Sequence, residues 1–215
     1  MLKKIINNLK KDHSLRTFVF SVFSVLITLS YSIYNGFLGI YKLSIWHGSI
    51  CIYYLLLLII RTILVFEMKN NNEKRKKIMH FVIYALLFII TISMIAPAIF
   101  LIIGKRTYDL GMIPAIAMAA YTTYSVTIAI INFYKTKKNN NITIKQLRLI
   151  NVISALMSVI VLQNTLILAN GGMDENMKTM CFYTSFAIIF SAIILIIIQF
   201  IKYFKTMFKN NIEKQ

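Results

Sequence analysis

Six apolar runs, each long enough to cross a hydrocarbon core of roughly 30 Å at 1.5 Å per helical residue, occupy most of this 215-residue chain. They cover about 17–40, 45–66, 78–103, 110–134, 149–169 and 179–201. In lipid each run satisfies its own backbone by forming a helix, and short connections force neighbouring spans to run antiparallel. The expected fold class is an all-α membrane protein: a compact bundle of six transmembrane helices forming one domain over 1–215, with no soluble domain.

Orientation follows from where the cations fall. Lys3, Lys4, Lys10, Lys11 and Arg16 precede the first run; Lys69, Lys74, Arg75, Lys76 and Lys77 follow the second. Lys135, Lys137, Lys138, Lys145 and Arg148 follow the fourth, and Lys202, Lys205, Lys209 and Lys214 follow the sixth. These nineteen oppose four on the other side, Lys42, Lys105, Arg106 and Lys178. Basic segments stay cytoplasmic, so both termini are expected there.

With 58% hydrophobic and 14% charged residues, a soluble domain of this size would lack polar surface. The net charge of +17 is spread over four segments beside the membrane. It reads as topology and as attraction to anionic headgroups on the cytoplasmic side, not as a nucleic-acid site. The N-terminus begins like a cleavable signal, but its apolar stretch is too long and leads into Tyr34, Asn35, Gly36 and Phe37, so an uncleaved first span is expected. Cys51 and Cys181 both fall towards the outer side. Without a C-x-x-C they read as independent small core residues, a disulfide being the other geometric option.

Polar residues inside the spans need partners or water. Ser21, Ser24, Thr28, Tyr31 and Asn35 share one helical face of span one, fit for tight helix contacts or for lining an aqueous path. In span four, Gly111, Ala115, Ala119 and Thr123 recur every four residues, a small-residue ridge expected to pack against another helix. Tyr121, Tyr124 and Ser125 lie beside it at mid-depth, where the amides of Gln163 and Asn164 in span five are the expected acceptors. Arg61 is the only charge well inside a run and shares a heptad stripe with Tyr54 and His47. It either snorkels or pairs with Glu67, or contacts an anionic solute. His47 and His80 lie close to opposite interfaces and are expected in contact with water.

Catalytic and cofactor signals are missing: no H-E-x-x-H, Gly-rich phosphate loop, G-x-S-x-G, metal-spaced acids or potassium-filter sequence occurs. No cofactor is expected, and an enzyme is disfavoured. No membrane-embedded carboxylate suited to proton coupling occurs either. Pro97 and Pro114 sit where a helix can bend. Tyr31-x-x-Tyr34 and Tyr121-x-x-Tyr124 fall in the first span of each three-span half, which would be oppositely oriented. The match stops there, and on sequence alone chance recurrence is the better reading.

Residues Asn35-Gly36 through Ser44, Trp46, Tyr53-Tyr54 and Arg61, then Ala119 to Tyr124 with Ala129 and Asn132, and finally Ser154, Ser158, Gln163 and Thr165 carry a likeness. The pattern resembles a family of uncharacterised six-span proteins of low-GC Gram-positive bacteria. That resemblance implies a multi-pass protein of the bacterial plasma membrane and carries over no activity or functional residue.

The expected function is a small transporter or channel for a polar or anionic solute. Its polar cavity is expected from Tyr31, Asn35, Tyr54, Arg61, Tyr121, Tyr124, Gln163 and Asn164. The alternative is a non-catalytic scaffold or partner-binding subunit that forms homo-oligomers through Gly111, Ala115, Ala119 and Thr123. A lipid-headgroup enzyme ranks last, with only Asp12, His13, Glu67, Glu73 and Glu213 available at the cytoplasmic side.

Overall fold

The computed structural model describes residues 13–67, 73–95, 98–99, 112–135, 142–169 and 174–212. Among them there is no strand. The helices are α1 (His13–Tyr41), α2 (Ile45–Glu67), α3 (Glu73–Ser93), α4 (Met112–Lys135), α5 (Ile142–Ala169) and α6 (Glu175–Ile212). Five of them contain a stretch long and apolar enough to cross a membrane: Ile45–Glu67, Arg75–Ser93, Met112–Asn132, Ile142–Ile167 and Glu175–Met207. The 29-residue α1 packs along α2. The protein is therefore helical and rich in membrane-span candidates.

Helix ends depart from the apolar runs. The helix α5 starts at Ile142, well before the expected 149, because the polar turn holding Thr143 and Gln146 is itself buried and continues the helix. For the same reason α6 runs on past 201 to Ile212, with Tyr203 buried against α3. Regular α3 ends at Ser93 and Met94 forms a turn, after which Ile95, Ala98 and Ile99 are again helical; the rest of the expected span to 103 lies outside the described residues. Pro97 and Gly111, like Asp12 and Glu213, lie outside the described residues. So do the side chains of Ser21, His13 and Glu73.

The strongest helix pairings are α1 with α2 and α4 with α5; α2 with α3, α2 with α5, α3 with α6 and α5 with α6 also pack. Side chains add a contact between α1 and α4, described below. The result is two four-helix groups, α1/α2/α4/α5 and α2/α3/α5/α6, that share α2 and α5.

The α1–α2 link shows how local sequence sets a close hairpin. The Ser44 N–H donates to the Gly39 carbonyl at 2.9 Å and the Leu43 N–H to that of Ile40 at 3.3 Å. This is the paired-bond C-terminal cap, whose left-handed position, φ 49°, is held here by Leu43 instead of glycine. Ser44 then caps α2, its hydroxyl accepting from the His47 N–H at 3.5 Å. A Cβ on Gly39 would stand 2.9 Å from the Gly48 backbone nitrogen, and one on Gly36 would stand 3.0 Å from Cys51 Sγ. The missing side chains let the two helices approach.

Three helix ends that carry basic residues gather together. His80 of α3 meets Gln146 of α5 and Tyr203 of α6, whose hydroxyl donates to the Lys77 carbonyl at 3.0 Å. The start of α3, the start of α5 and the end of α6 are therefore neighbours, and Arg61, near the end of α2, reaches Asn151 of α5 on the same side.

Candidate functional site

Steps of seven on α2 place His47, Tyr54 and Arg61 on one face, about 10 Å apart along the axis. All three are buried, at 1%, 0% and 4% exposure, and each anchors one layer of side chains: Arg61 with α1 and α5, Tyr54 with α1 and α4, and His47 with α1.

The layer nearest the basic end is built on Arg61. Its Nη1 donates to the Ser24 hydroxyl, to Thr28 Oγ1 at 3.1 Å and to the Ser24 carbonyl at 3.3 Å. Its Nη2 donates to Asn151 Oδ1 at 2.8 Å. The side chain thus turns inward instead of snorkelling, and the groups its terminal nitrogens bond are two hydroxyls, a carbonyl and an amide. None carries negative charge. In so dry a setting an arginine is costly unless it serves a ligand or a specific contact. Thr28 also donates to the Ser24 carbonyl at 2.8 Å, so this turn of α1 offers its oxygens as a set.

The middle layer is aromatic. Tyr31 of α1 and Tyr121 of α4 stack with centroids 3.7 Å apart and planes 2° from parallel. Tyr54 meets both edge-on, at 4.9 and 5.4 Å. The Tyr31 hydroxyl donates to Met118 Sδ at 2.8 Å, and the Tyr121 hydroxyl lies 3.3 Å from Ser154 Oγ. Tyr54 finds no hydrogen-bond partner of ordinary geometry for its hydroxyl, nor does its neighbour Tyr53.

The third layer pairs Asn35 with His47. Asn35 Nδ2 donates to the Tyr31 carbonyl at 2.9 Å, and its Oδ1 lies 3.2 Å from His47 Nδ1. His47 Nε2 and Trp46 Nε1 are buried without partners. Both histidines were expected in contact with water; instead His47 is 1% and His80 4% exposed. His80 is enclosed because Gln146 Oε1 accepts from its ring Nδ1, 2.5 Å away, while the Nε2 of the same amide donates to the His80 carbonyl at 3.0 Å.

Tyr31, Asn35, Tyr54, Arg61 and Tyr121 are thus brought together, and Tyr124 sits half-buried one turn beyond Tyr121. Gln163 is not with them: its amide bridges to α6, donating to Thr184 Oγ1 at 2.8 Å and Cys181 Sγ at 3.3 Å, while Thr184 donates back at 3.0 Å. Asn164 is buried with its Oδ1 unpartnered. Tyr121 takes Ser154 in place of the expected amides because Ser154 is the polar group that α5 presents at its depth. Along the small-residue ridge, Ala115 is buried, Ala119 half-buried and Thr123 exposed, bonded back to the Ala119 carbonyl at 2.9 Å. Cys51 and Cys181 are both free thiols.

Asn151 and Met118 were missed by sequence reading. Asn151 stands between Ile150 and Val152, and an amide set among aliphatic neighbours is the signal that could have found it. Comparison with protein-family models, curated proteins and solved structures gives no match.

Proposed function

We propose that the protein is a multi-pass membrane transporter or channel for a small anionic, or anion-ended polar, solute that passes between α1, α2, α4 and α5. Arg61 carries this reading: a buried guanidinium ringed by neutral hydroxyl and amide groups is suited to exchange those weak contacts for an anion. The orphaned nitrogens and hydroxyls of His47, Tyr54 and Tyr53 extend the same interior and supply further hydrogen bonds to a polar solute. Six crossings, both termini in the cytoplasm and the basic end at the anionic inner leaflet agree with the distribution of lysine and arginine. The bacterial plasma membrane is the location in keeping with the sequence resemblance.

The test places a cysteine at Asn151, beside Arg61, with Cys51 and Cys181 changed to alanine. Membrane vesicles are treated from each side with anionic sulfonatoethyl or cationic trimethylammonioethyl methanethiosulfonate. The anionic reagent is expected to react about tenfold faster, the factor corresponding to ~1.4 kcal/mol of local potential, and Arg61→Gln to erase that preference. Equal rates for the two reagents sink the anion reading. Protection from both sides, there and at Tyr31, Tyr54 and Tyr121, removes the pathway and leaves a packed scaffold associating through Ala115, Ala119 and Thr123.

A further inference from the structure

The helix pairings have a symmetry that the sequence barely shows. Exchanging α1, α2, α3 for α4, α5, α6 turns the α1–α2 pair into α4–α5 and the α2–α3 pair into α5–α6. It maps α2–α5 and α3–α6 onto themselves, so the whole set of packed pairs is unchanged. The two most extensive pairings exchange with each other.

Side chains obey the same relation. From 26 to 37 and from 116 to 127, ninety residues on, the succession of exposed, half-buried and buried positions is identical at every step. Tyr31 corresponds to Tyr121 and Tyr34 to Tyr124. The residue after each buried tyrosine fastens its own hairpin: Ser32 Oγ donates to the Cys51 carbonyl of α2 at 2.9 Å, and Thr122 Oγ1 to the Ser158 carbonyl of α5 at 3.0 Å. Two equivalent side chains touch each other face to face only where a two-fold axis passes between them, and Tyr31 stacks on Tyr121 with planes 2° apart.

The axis lies across the helices. The Ser24 turn of α1 meets Arg61 on the same side as the start of α5, and only six residues separate the end of α4 from the start of α5. Therefore α1 leaves the basic end while α4 returns to it, and the halves are inverted. Repeats of this kind place a solute site at the interface of the halves, near mid-membrane, and expose it to each side by rocking one half against the other.

We infer that α1–α3 and α4–α6 form an inverted repeat, and that the Tyr31–Tyr121 pair, flanked by Tyr54, is the closed gate between two solute stations. One station is Arg61 with Ser24, Thr28 and Asn151; the other is Asn35 with His47, whose unpartnered Nε2 supplies a contact for a hydrogen-bonding solute. This deepens the transport reading and rests on it. The gate separates the stations because aromatic rings fill the level between them, and symmetry lets either half move away.

The experiment uses two reporters in the full chain lacking Cys51 and Cys181, Asn35→Cys and Asn151→Cys, each labelled from either side with the sulfonatoethyl reagent. With both tyrosines present, each reporter is expected to react from its own side alone. In Tyr31→Ala/Tyr121→Ala, or in Tyr121→Ala alone should the double variant fail to fold, the rate from the far side is expected to rise about tenfold or more. Tyr31→Phe/Tyr121→Phe keeps the stack and should stay one-sided.

One-sided labelling that survives loss of the rings overturns the gate while leaving the Arg61 station intact, since Asn151→Cys still reacts. Silence of both reporters from both sides in every variant overturns gate and transport reading together. Symmetry is tested apart from the gate with Ser32→Ala and Thr122→Val, which loosen equivalent fastenings in opposite halves. They are expected to shift the ratio of the two reporters' rates in opposite directions, by about threefold. Shifts in the same direction, or none, overturn the inverted repeat.

Discussion

The two four-helix groups share α2 and α5 yet are filled differently. Between α3, α6 and their neighbours the buried side chains are mainly aliphatic, including Ile83, Leu87, Ile90, Ile189, Ala192 and Ile196. Among the described residues, the side-chain hydrogen bonds between these helices lie towards the ends, with His80 and Gln146 at the basic end and Gln163 with Thr184 at the other. Between α1, α2, α4 and α5 the interior instead holds Arg61, stacked tyrosines and a buried histidine. Lipid gives helices no hydrophobic reason to associate, so close packing is what holds them. The aliphatic group fits that requirement. The polar group gives up part of it to keep unpaired donors, as sites built for a ligand do.

The largest effects test that division directly. Leu87→Ala, at a position of 0% exposure, should destabilise by about 2 kcal/mol or more through the cavity it leaves, with the reagent preference at Asn151→Cys unchanged. Arg61→Met should do the opposite: stability within about 1 kcal/mol of the parent, because a charge no longer has to be kept dry, and no anion preference. Reversible unfolding in bicelles reads the first quantity and thiol kinetics the second. An Arg61→Met protein destabilised as much as Leu87→Ala would make the arginine a structural clamp and erase the distinction between the groups.

A second contrast concerns how closely each pair of helices approaches. A Cβ at Gly39 meets backbone of α2 at 2.9 and 3.2 Å, which no rotamer change relieves, whereas one at Gly48 meets nothing within 4 Å. Gly39→Ala is expected to cost about 1–2 kcal/mol by forcing the hairpin apart, and Gly48→Ala to cost nothing. If both are silent in the same unfolding assay, α1 and α2 are not held at this separation by their glycines.

What the sequence could and could not reveal follows the same line. Apolar runs and cation placement made the helices and the basic end legible, because length and hydropathy are properties of each segment alone. The α2 stripe of His47, Tyr54 and Arg61 was legible for the same reason, helical spacing. Which partner each group takes is decided between segments. Arg61 turns to Ser24, Thr28 and Asn151 because α1 and α5 present oxygens at its depth, and Gln163 turns away from Tyr121 because Thr184 of α6 stands closer. His80 looked interfacial until Gln146, in a stretch read as connection, folded over it. The tyrosine repeat was visible but weighed as chance; the face-to-face contact of Tyr31 with Tyr121 is what gives it geometric meaning.

The smallest expected effect lies at the tip of the α1–α2 hairpin. Leu43 holds a left-handed backbone, φ 49°, with its side chain 76% exposed. A Cβ in that region costs about 1–2 kcal/mol, and so exposed a side chain recovers little of it by packing. Glycine removes the clash but has more freedom to lose on folding, about 0.5–1 kcal/mol. Leu43→Gly should therefore stabilise the protein by about 0.5–1 kcal/mol, with the bonds from Ser44 to Gly39 and from Leu43 to Ile40 retained, since both are made by backbone atoms. A loss of stability in the bicelle assay would mean that the leucine makes a contact with lipid worth more than its strain. The close approach of α1 and α2 would then depend on the membrane surface as well as on the glycines beneath it.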